Sequence, residues 1–354
     1  MTTKPNPNLR RFAVGVLLAL TALLAAACSD DADPSEVVLV SHDSFQISDD
    51  LVAAFEARTG LTLRILRGGD AVEALNQAIL TVDNPQGDVF FGVDDATLSR
   101  ALAAGLFVPY EAAGLDRVPE ELRLDPEHRV TPIDHGAVCV NYDAEWFDAE
   151  GLAVPSSLED LADPAYRGLL VVQNPASSTP GLNFLTATIA EYGEDGWLDY
   201  WERLRDNDVV VTSGWTDAYY SRFSGPSSEG DRPLVVSYGT SPPFEVDDSG
   251  PLPENGPTGV IESTCTRQVE FAGVLSNADN PTGAQQLIDF LLSDEFQVEI
   301  PLSMYVFPAV STVEMPELFQ RYSVIPSDPY QLDSATIEAE RERWIREWTD
   351  LVLR

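Results

Sequence analysis

The feature that most constrains this fold is an alternation of strand-like and helix-like segments near the start of the chain. Residues 37–40, 61–66 and 88–93 are short apolar runs with strand composition. Between the first two, Ser48 and Gly60 are placed to begin and end a helix, and a second helix is expected over residues 71–80. A β-α-β-α-β order predicts an α/β fold with parallel strands and right-handed crossovers.

The same alternation continues along the rest of the chain, which at 354 residues is long enough for two domains or lobes. Thr179 is the expected N-cap of a helix whose first residue is Pro180, and this helix runs through residues 184–189. Further strands are expected around Val138 and Cys265 and over residues 169–172, 209–211 and 234–236, with helices near residues 284–292 and 335–353.

The N-terminus resembles a bacterial lipoprotein signal. A basic start is followed by the apolar residues 12–27 and then by Cys28. We therefore expect residues 1–27 to be a cleaved signal peptide, Cys28 to carry lipid, and residues 28–36 to be a tether to the bacterial cell membrane. A transmembrane anchor and an ordinary secretory signal are the alternatives. Each of the three places the mature protein outside the cytoplasm.

Two further cysteines, Cys139 and Cys265, remain for an oxidising compartment, and each lies in a strand-like context. We predict a disulfide between them, with two buried free thiols as the alternative. A metal site is disfavoured because no histidine lies at ligand spacing from either cysteine.

The charge of the chain bears on its partners. There are 58 acidic and 21 basic residues, which give a formal net charge of -37. Such a surface repels nucleic acid, because no basic patch neutralises phosphates. Nucleic-acid binding is therefore not expected.

Residues 209–244 contain two apolar runs, and each run ends in a cluster of small polar and aromatic residues. In an open α/β sheet, ligands bind at the carboxyl ends of the strands. The rings that follow the two runs would then line a pocket for a flat ring. These rings are Trp215, Tyr219, Tyr220, Tyr238 and Phe244.

Several of these segments, taken in order, resemble the thiamine-binding periplasmic proteins of ABC importers. The segments are Asp43-Ser44-Phe45, Asp70, residues 88–94, Ser178-Thr179-Pro180-Gly181, Gly214-Trp215-Thr216-Asp217-Ala218-Tyr219 and residues 237–242. The resemblance implies a type II periplasmic binding protein with two α/β lobes. It places lobe 1 at residues 37–137 and 268–354, and lobe 2 at residues 138–267. Two crossing strands near Val138 and Val269 would form the hinge, with the ligand cleft between the lobes.

The resemblance also implies a monomeric, non-catalytic receptor that binds thiamine or its phosphate esters and delivers them to an ABC permease, with no cofactor. The flat aminopyrimidine of thiamine suits ring stacking, and its thiazolium cation suits aromatic faces and a carboxylate. The implied ligand contacts are Asp70, Ala71, Ser178, Thr179, Trp215, Tyr238, Gly239, Thr240 and Ser241. A second group of candidates comprises His42, Asp43, Tyr219 and Phe244. His42 and Phe244 stand where this family often has tyrosine.

Two other functions are compatible with parts of the sequence. Tyr219 and Tyr220, with His42, could form a ferric-iron site, since phenolate and imidazole are suitable Fe(III) ligands. An enzyme is less supported, because the three histidines lie in no recognisable nucleophile motif and no P-loop or dinucleotide fingerprint is present.

Overall fold

The structure is a computed structural model, and it describes residues 35–354. The predicted signal peptide, Cys28 and the tether up to residue 34 lie outside the described residues. Within residues 35–354, no helix is both long and apolar enough to cross a membrane.

One mixed sheet runs through the described residues in the order β2-β1-β3-β8-β4-β7-β5-β6, with β9 paired to β4. β1 is parallel to both β2 and β3, as the sequence predicts, whereas β8 pairs antiparallel with β3 and β4. The strands are β1 (Glu36–Ser41), β2 (Thr62–Arg67), β3 (Val89–Asp94), β4 (Thr131–Asp143), β5 (Leu170–Gln173), β6 (Val210–Thr212), β7 (Leu234–Tyr238), β8 (Thr258–Val274) and β9 (Phe307–Pro308).

Helices alternate with most of the strands along the chain. In chain order they are α1 (Asp49–Thr59), α2 (Ala71–Leu80), α3 (Leu98–Ala103), α4 (Ala144–Glu150), α5 (Leu158–Leu161), α6 (Thr179–Asp206), α7 (Trp215–Asp217), α8 (Pro281–Leu291), α9 (Asp294–Ser303), α10 (Glu317–Tyr322) and α11 (Ser334–Val352).

The helix ends follow from local chemistry. The Ser48 hydroxyl accepts a hydrogen bond from the Leu51 N–H, and Gly60 ends α1 with a φ of 74°, so both predicted ends are confirmed. The prediction for α6 was wrong by one residue, because Ser178 is the N-cap and Thr179 is already helical. Gly193, with φ 67° and ψ 176°, interrupts this helix.

Each half of the sheet, in the order of its strands, has its own large hydrophobic core. Phe91 and Leu287 belong to the first core, and Phe184 and Trp201 belong to the second. β4 contributes Ile133 to the first core and Val138 to the second, and β8 likewise contributes Phe271 and Ile261. Both long strands therefore cross between the cores. The predicted α/β class, with two lobes and a two-strand hinge, is confirmed.

The disulfide between Cys139 and Cys265 is present, and both residues are buried. It links β4 to β8 close to the crossing.

The C-terminal helix α11 packs on the second core through Ile337, Trp344 and Trp348, although the expected boundary assigned residues 268–354 to lobe 1. On its way there, the chain passes the disulfide, where the Tyr330 N–H donates to the Cys265 carbonyl. The apolar face of α11 explains this placement, because the indole rings of its two tryptophans are fully buried in that core.

Candidate ligand-binding site

A cavity of about 360 Å³ lies where the two lobes face each other. This volume is within the range of about 300–1,000 Å³ that is usual for small-molecule pockets. Most of its wall is aromatic or polar, and within the described part of the chain it includes no lysine or arginine. The lining residues are His42, Asp43, Ser44, Gln46, Trp215, Thr216, Tyr219, Tyr220, Tyr238, Ser241, Phe244, Gln268, Glu270, Ser303, Met304, Tyr305 and Val306.

Trp215 is the centre of the aromatic side of the cavity. Its ring stacks on Tyr219, with centroids 4.9 Å apart and planes inclined by 23°. Tyr220 meets it edge-on at 5.5 Å, and Tyr238 lies tilted at 6.1 Å. The Trp215 indole N–H donates to the Ser237 hydroxyl at 2.8 Å, which fixes the plane of the ring.

The turn after β7 is held by the hydroxyl of Ser241. This hydroxyl lies 2.8 Å from that of Ser237 and accepts from the Tyr238 N–H at 3.2 Å. Both backbone polar groups of Gly239 are hydrogen-bonded. Its N–H donates to the Ala137 carbonyl, and its own carbonyl accepts from the Val324 N–H. A Cβ at Gly239 would lie 2.6 Å from the Val324 carbonyl oxygen, so the turn requires glycine.

Asp70 does not line the cavity. Its carboxylate caps α2 through the Ala71 N–H at 2.7 Å, and it also accepts from the N–H groups of Thr179 and Trp215 in the other lobe, at 3.1 and 2.9 Å. Burial raises the pKa of Asp70, and the hydrogen bonds from Trp215 and Thr179 oppose that shift. A side chain at Gly214 would touch this carboxylate, so glycine permits the approach. Asp70 therefore links the lobes.

The predicted contacts thus divide into two groups. Trp215, Tyr238 and Ser241 line the cavity, together with the four second-group candidates, His42, Asp43, Tyr219 and Phe244. The remaining six are not among the lining residues; these are Asp70, Ala71, Ser178, Thr179, Gly239 and Thr240. The hydroxyls of Thr179 and Thr240 are buried and have no hydrogen-bond partner among residues 35–354.

His42 and Glu270 form the polar side of the cavity. The His42 Nε2 lies 3.2 Å from Glu270 Oε1, and its Nδ1 lies 2.8 Å from the Ser44 hydroxyl. Burial lowers the pKa of His42, but the neighbouring carboxylates, Glu270 first among them, outweigh burial and leave that pKa raised. Glu270 was missed by the sequence argument. The signal for it was a carboxylate within the otherwise apolar C-terminal part of β8, residues 269–274.

Tyr305 was also missed. It follows α9 and lines the cavity from lobe 1. Its ring meets the ring of Phe244 edge to face, with centroids 5.0 Å apart, and so completes the aromatic side of the cavity. Nothing in the sequence separates it from other tyrosines, because its place in the site depends on how the lobes face each other.

The surroundings of the tyrosine pair oppose ionisation of the two phenols. Burial raises the pKa of both phenols, and Glu245 raises each of them further, so the phenolate form is disfavoured. Tyr219 is fully buried against Trp215, while 41% of Tyr220 is exposed. Among residues 35–354, no group of three or more His, Cys, Asp or Glu side chains is arranged to hold a metal ion.

Comparisons with known proteins agree with this geometry. The family model for bacterial extracellular solute-binding proteins matches residues 84–323. The thiamine-binding periplasmic protein of Escherichia coli K12 is 30% identical over 302 residues, which cover 85% of this chain and 87% of that protein.

Iron uptake protein A1 of Synechocystis sp. is 26% identical over 307 residues, covering 85% of this chain and 83% of that protein. The solved structure of a periplasmic thiamin binding protein superposes with a TM-score of 0.79 at 28% identity and covers 90% of this chain and 96% of its own. The chain belongs to the family of bacterial extracellular solute-binding proteins.

Proposed function

We propose that this protein captures thiamine and its phosphate esters outside the cytoplasm and delivers them to an ABC permease. The observation that carries the proposal is a cavity that combines stacked aromatic faces with carboxylates and, among its described lining residues, has no lysine or arginine. Such a wall suits a flat, positively charged ligand. Relatives described as thiamine-binding cover most of the chain, which supports the same ligand.

Each part of thiamine has a matching part of the wall. The aminopyrimidine would stack on the rings of Trp215 or Tyr238, and its edge would hydrogen-bond to Ser241. A thiazolium over an aromatic face gains about 0.5–2 kcal/mol. The buried hydroxyls of Thr179 and Thr240 are donors available to the polar end of the ligand after a small rearrangement.

Asp70, Ala71, Ser178 and Gly239 enter the proposal as residues that shape and close the site. Asp70 bridges the starts of α6 and α7 from the opposite lobe, so its hydrogen bonds exist only when the lobes are together. A ligand that contacts both lobes stabilises the same closed arrangement.

The proposal includes a lipid anchor at Cys28 and a monomeric, non-catalytic receptor. The anchor rests on the sequence of residues 1–28 alone. The non-catalytic role rests on the lack of a recognisable nucleophile motif in the sequence and on the match to solute-binding proteins.

Ferric-iron transport is the rival function, because a relative described as an iron uptake protein also matches most of the chain. It requires Tyr219 and Tyr220 to ionise, and burial beside Glu245 opposes that. Trp215 stacked on Tyr219 has no role in an iron site.

The test is calorimetric and fluorescence titration of the mature protein with thiamine and its mono- and diphosphate, beside Trp215→Ala and the control Trp146→Ala. Trp146 packs on Phe147, away from the cavity lining. We expect saturable one-site binding by the wild type and the control, and at least about tenfold weaker binding by Trp215→Ala. Absence of binding, together with visible colour on adding ferric iron, would transfer the assignment to Tyr219 and Tyr220.

A further inference from the structure

The polar wall of the cavity contains a carboxylate that accepts no hydrogen bond from a backbone N–H among residues 35–354. Glu270 lies on β8, is 9% exposed, and lines the cavity. Among residues 35–354, the only donor that approaches its carboxylate is His42, at 3.2 Å. Glu270 thus borders the cavity from a largely dehydrated position, where electrostatic interactions are strong, and its carboxylate is shared with the imidazole of His42.

The other nearby acids are not available for this purpose. Asp70 accepts hydrogen bonds from three backbone N–H groups and does not line the cavity. Asp43 lines the cavity but is exposed, so water screens its charge. Asp134 faces Glu270 across the paired strands, and burial, with the charge of Glu270, raises the pKa of Asp134 well above its usual value. Both effects favour the neutral form of Asp134 beside the charged form of Glu270.

Aromatic rings border the same space. Trp215 and Tyr238 line the cavity with Glu270, and the carboxylate of Glu270 is close enough to Tyr238 to raise the pKa of that phenol, after the larger effect of burial. A cation placed here would meet a carboxylate and ring faces together, and each attracts positive charge. A neutral ring would gain the stacking but not the ionic attraction.

We propose that Glu270 is the counter-charge of the ligand's positive ring and the residue that selects a cationic ligand. This inference rests on the proposed function, because the thiazolium of thiamine supplies the cation. It assigns to Glu270 the electrostatic role that the sequence argument gave to Asp70.

The experiment measures thiamine affinity by calorimetry, near pH 8, for the wild type, Glu270→Gln, Glu270→Asp and Glu262→Gln. Glutamine preserves shape and hydrogen bonding without charge, and aspartate preserves charge on a shorter side chain. Glu262→Gln makes the same change at an exposed position of β8 that does not line the cavity. Thermal unfolding of each variant shows whether it is folded.

We expect Glu270→Gln to weaken thiamine binding by about 10- to 100-fold, Glu270→Asp to weaken it less, and Glu262→Gln to change it by less than about threefold. Binding by Glu270→Gln as tight as by the wild type, or tighter than by Glu270→Asp, overturns the inference and leaves the proposed function standing. Failure of the wild type to bind thiamine overturns both.

Discussion

The Asp70 carboxylate accepts a hydrogen bond from the Trp215 N–H at 2.9 Å, across 145 residues of chain and across the ligand cleft. The same carboxylate accepts from Thr179 at 3.1 Å. One acid from lobe 1 thus accepts hydrogen bonds from N–H groups that have no partner within their own helices, at the starts of two helices in lobe 2 where negative charge is favourable.

Asp70→Asn should weaken both ligand binding and stability. The amide nitrogen would face an N–H group and leave it unpaired, which costs about 1–3 kcal/mol. Since the bond joins the lobes, we expect calorimetry to show about tenfold weaker thiamine binding. Asp163→Asn is the control, because Asp163 caps a turn within lobe 2. Equal loss of affinity in both variants would show that Asp70 has no special part in closure.

Tyr305→Asn should lower thiamine affinity by about three- to tenfold, since an aromatic pair contributes about 0.5–1.5 kcal/mol. Asparagine is chosen because Tyr305 has a φ of 54°, which asparagine tolerates. Tyr305→Phe keeps the ring and should bind within about twofold of the wild type. A Phe variant as weak as the Asn variant would mean that the hydroxyl matters rather than the ring.

Replacing Cys139 and Cys265 together by alanine should lower the free energy of unfolding by about 3–5 kcal/mol, measured in urea. The two cysteines are 126 residues apart, and a loop of that size gives a disulfide a large effect on the unfolded chain. A loss below about 1 kcal/mol would contradict this expectation and indicate that the paired strands alone hold the crossing.

His135 should make the fold less stable in acid. Burial lowers the pKa of His135 to about 4, and its ring stacks on Phe307 at 5.5 Å. Between about pH 6.5 and pH 4 the unfolded chain binds a proton that the folded chain does not, so stability falls as the pH falls through that window. The loss is on the order of 2–3 kcal/mol.

The variant His135→Gln should reduce that dependence. Other groups contribute the same slope to both proteins, so the difference between their urea midpoints at about pH 7 and pH 4.5 isolates the imidazole. Identical pH dependence in the two proteins would show that the imidazole is protonated in the folded state.

The sequence predicts the local parts of this molecule well because local chemistry determines them. Ser48, Gly60 and the β1-α1-β2-α2-β3 order depend on neighbours along the chain, and so does the position of Trp215 after a strand. What it missed depends on distant contacts. Glu270 and Tyr305 enter the cavity only when the lobes face each other, and the hydrogen bonds that Asp70 accepts from the opposite lobe depend on the same closure.

The C-terminal segment passes the disulfide and returns to the second core, so the described chain connects the two lobes at one place through β4, β8 and this segment. Three connections close together prevent the lobes from sliding past each other or separating. Rotation of one lobe relative to the other about these connections remains possible. The two lobes should therefore meet in the same register each time they close. Ligand capture can then begin from a nearly aligned pair of surfaces, without a search through many relative orientations.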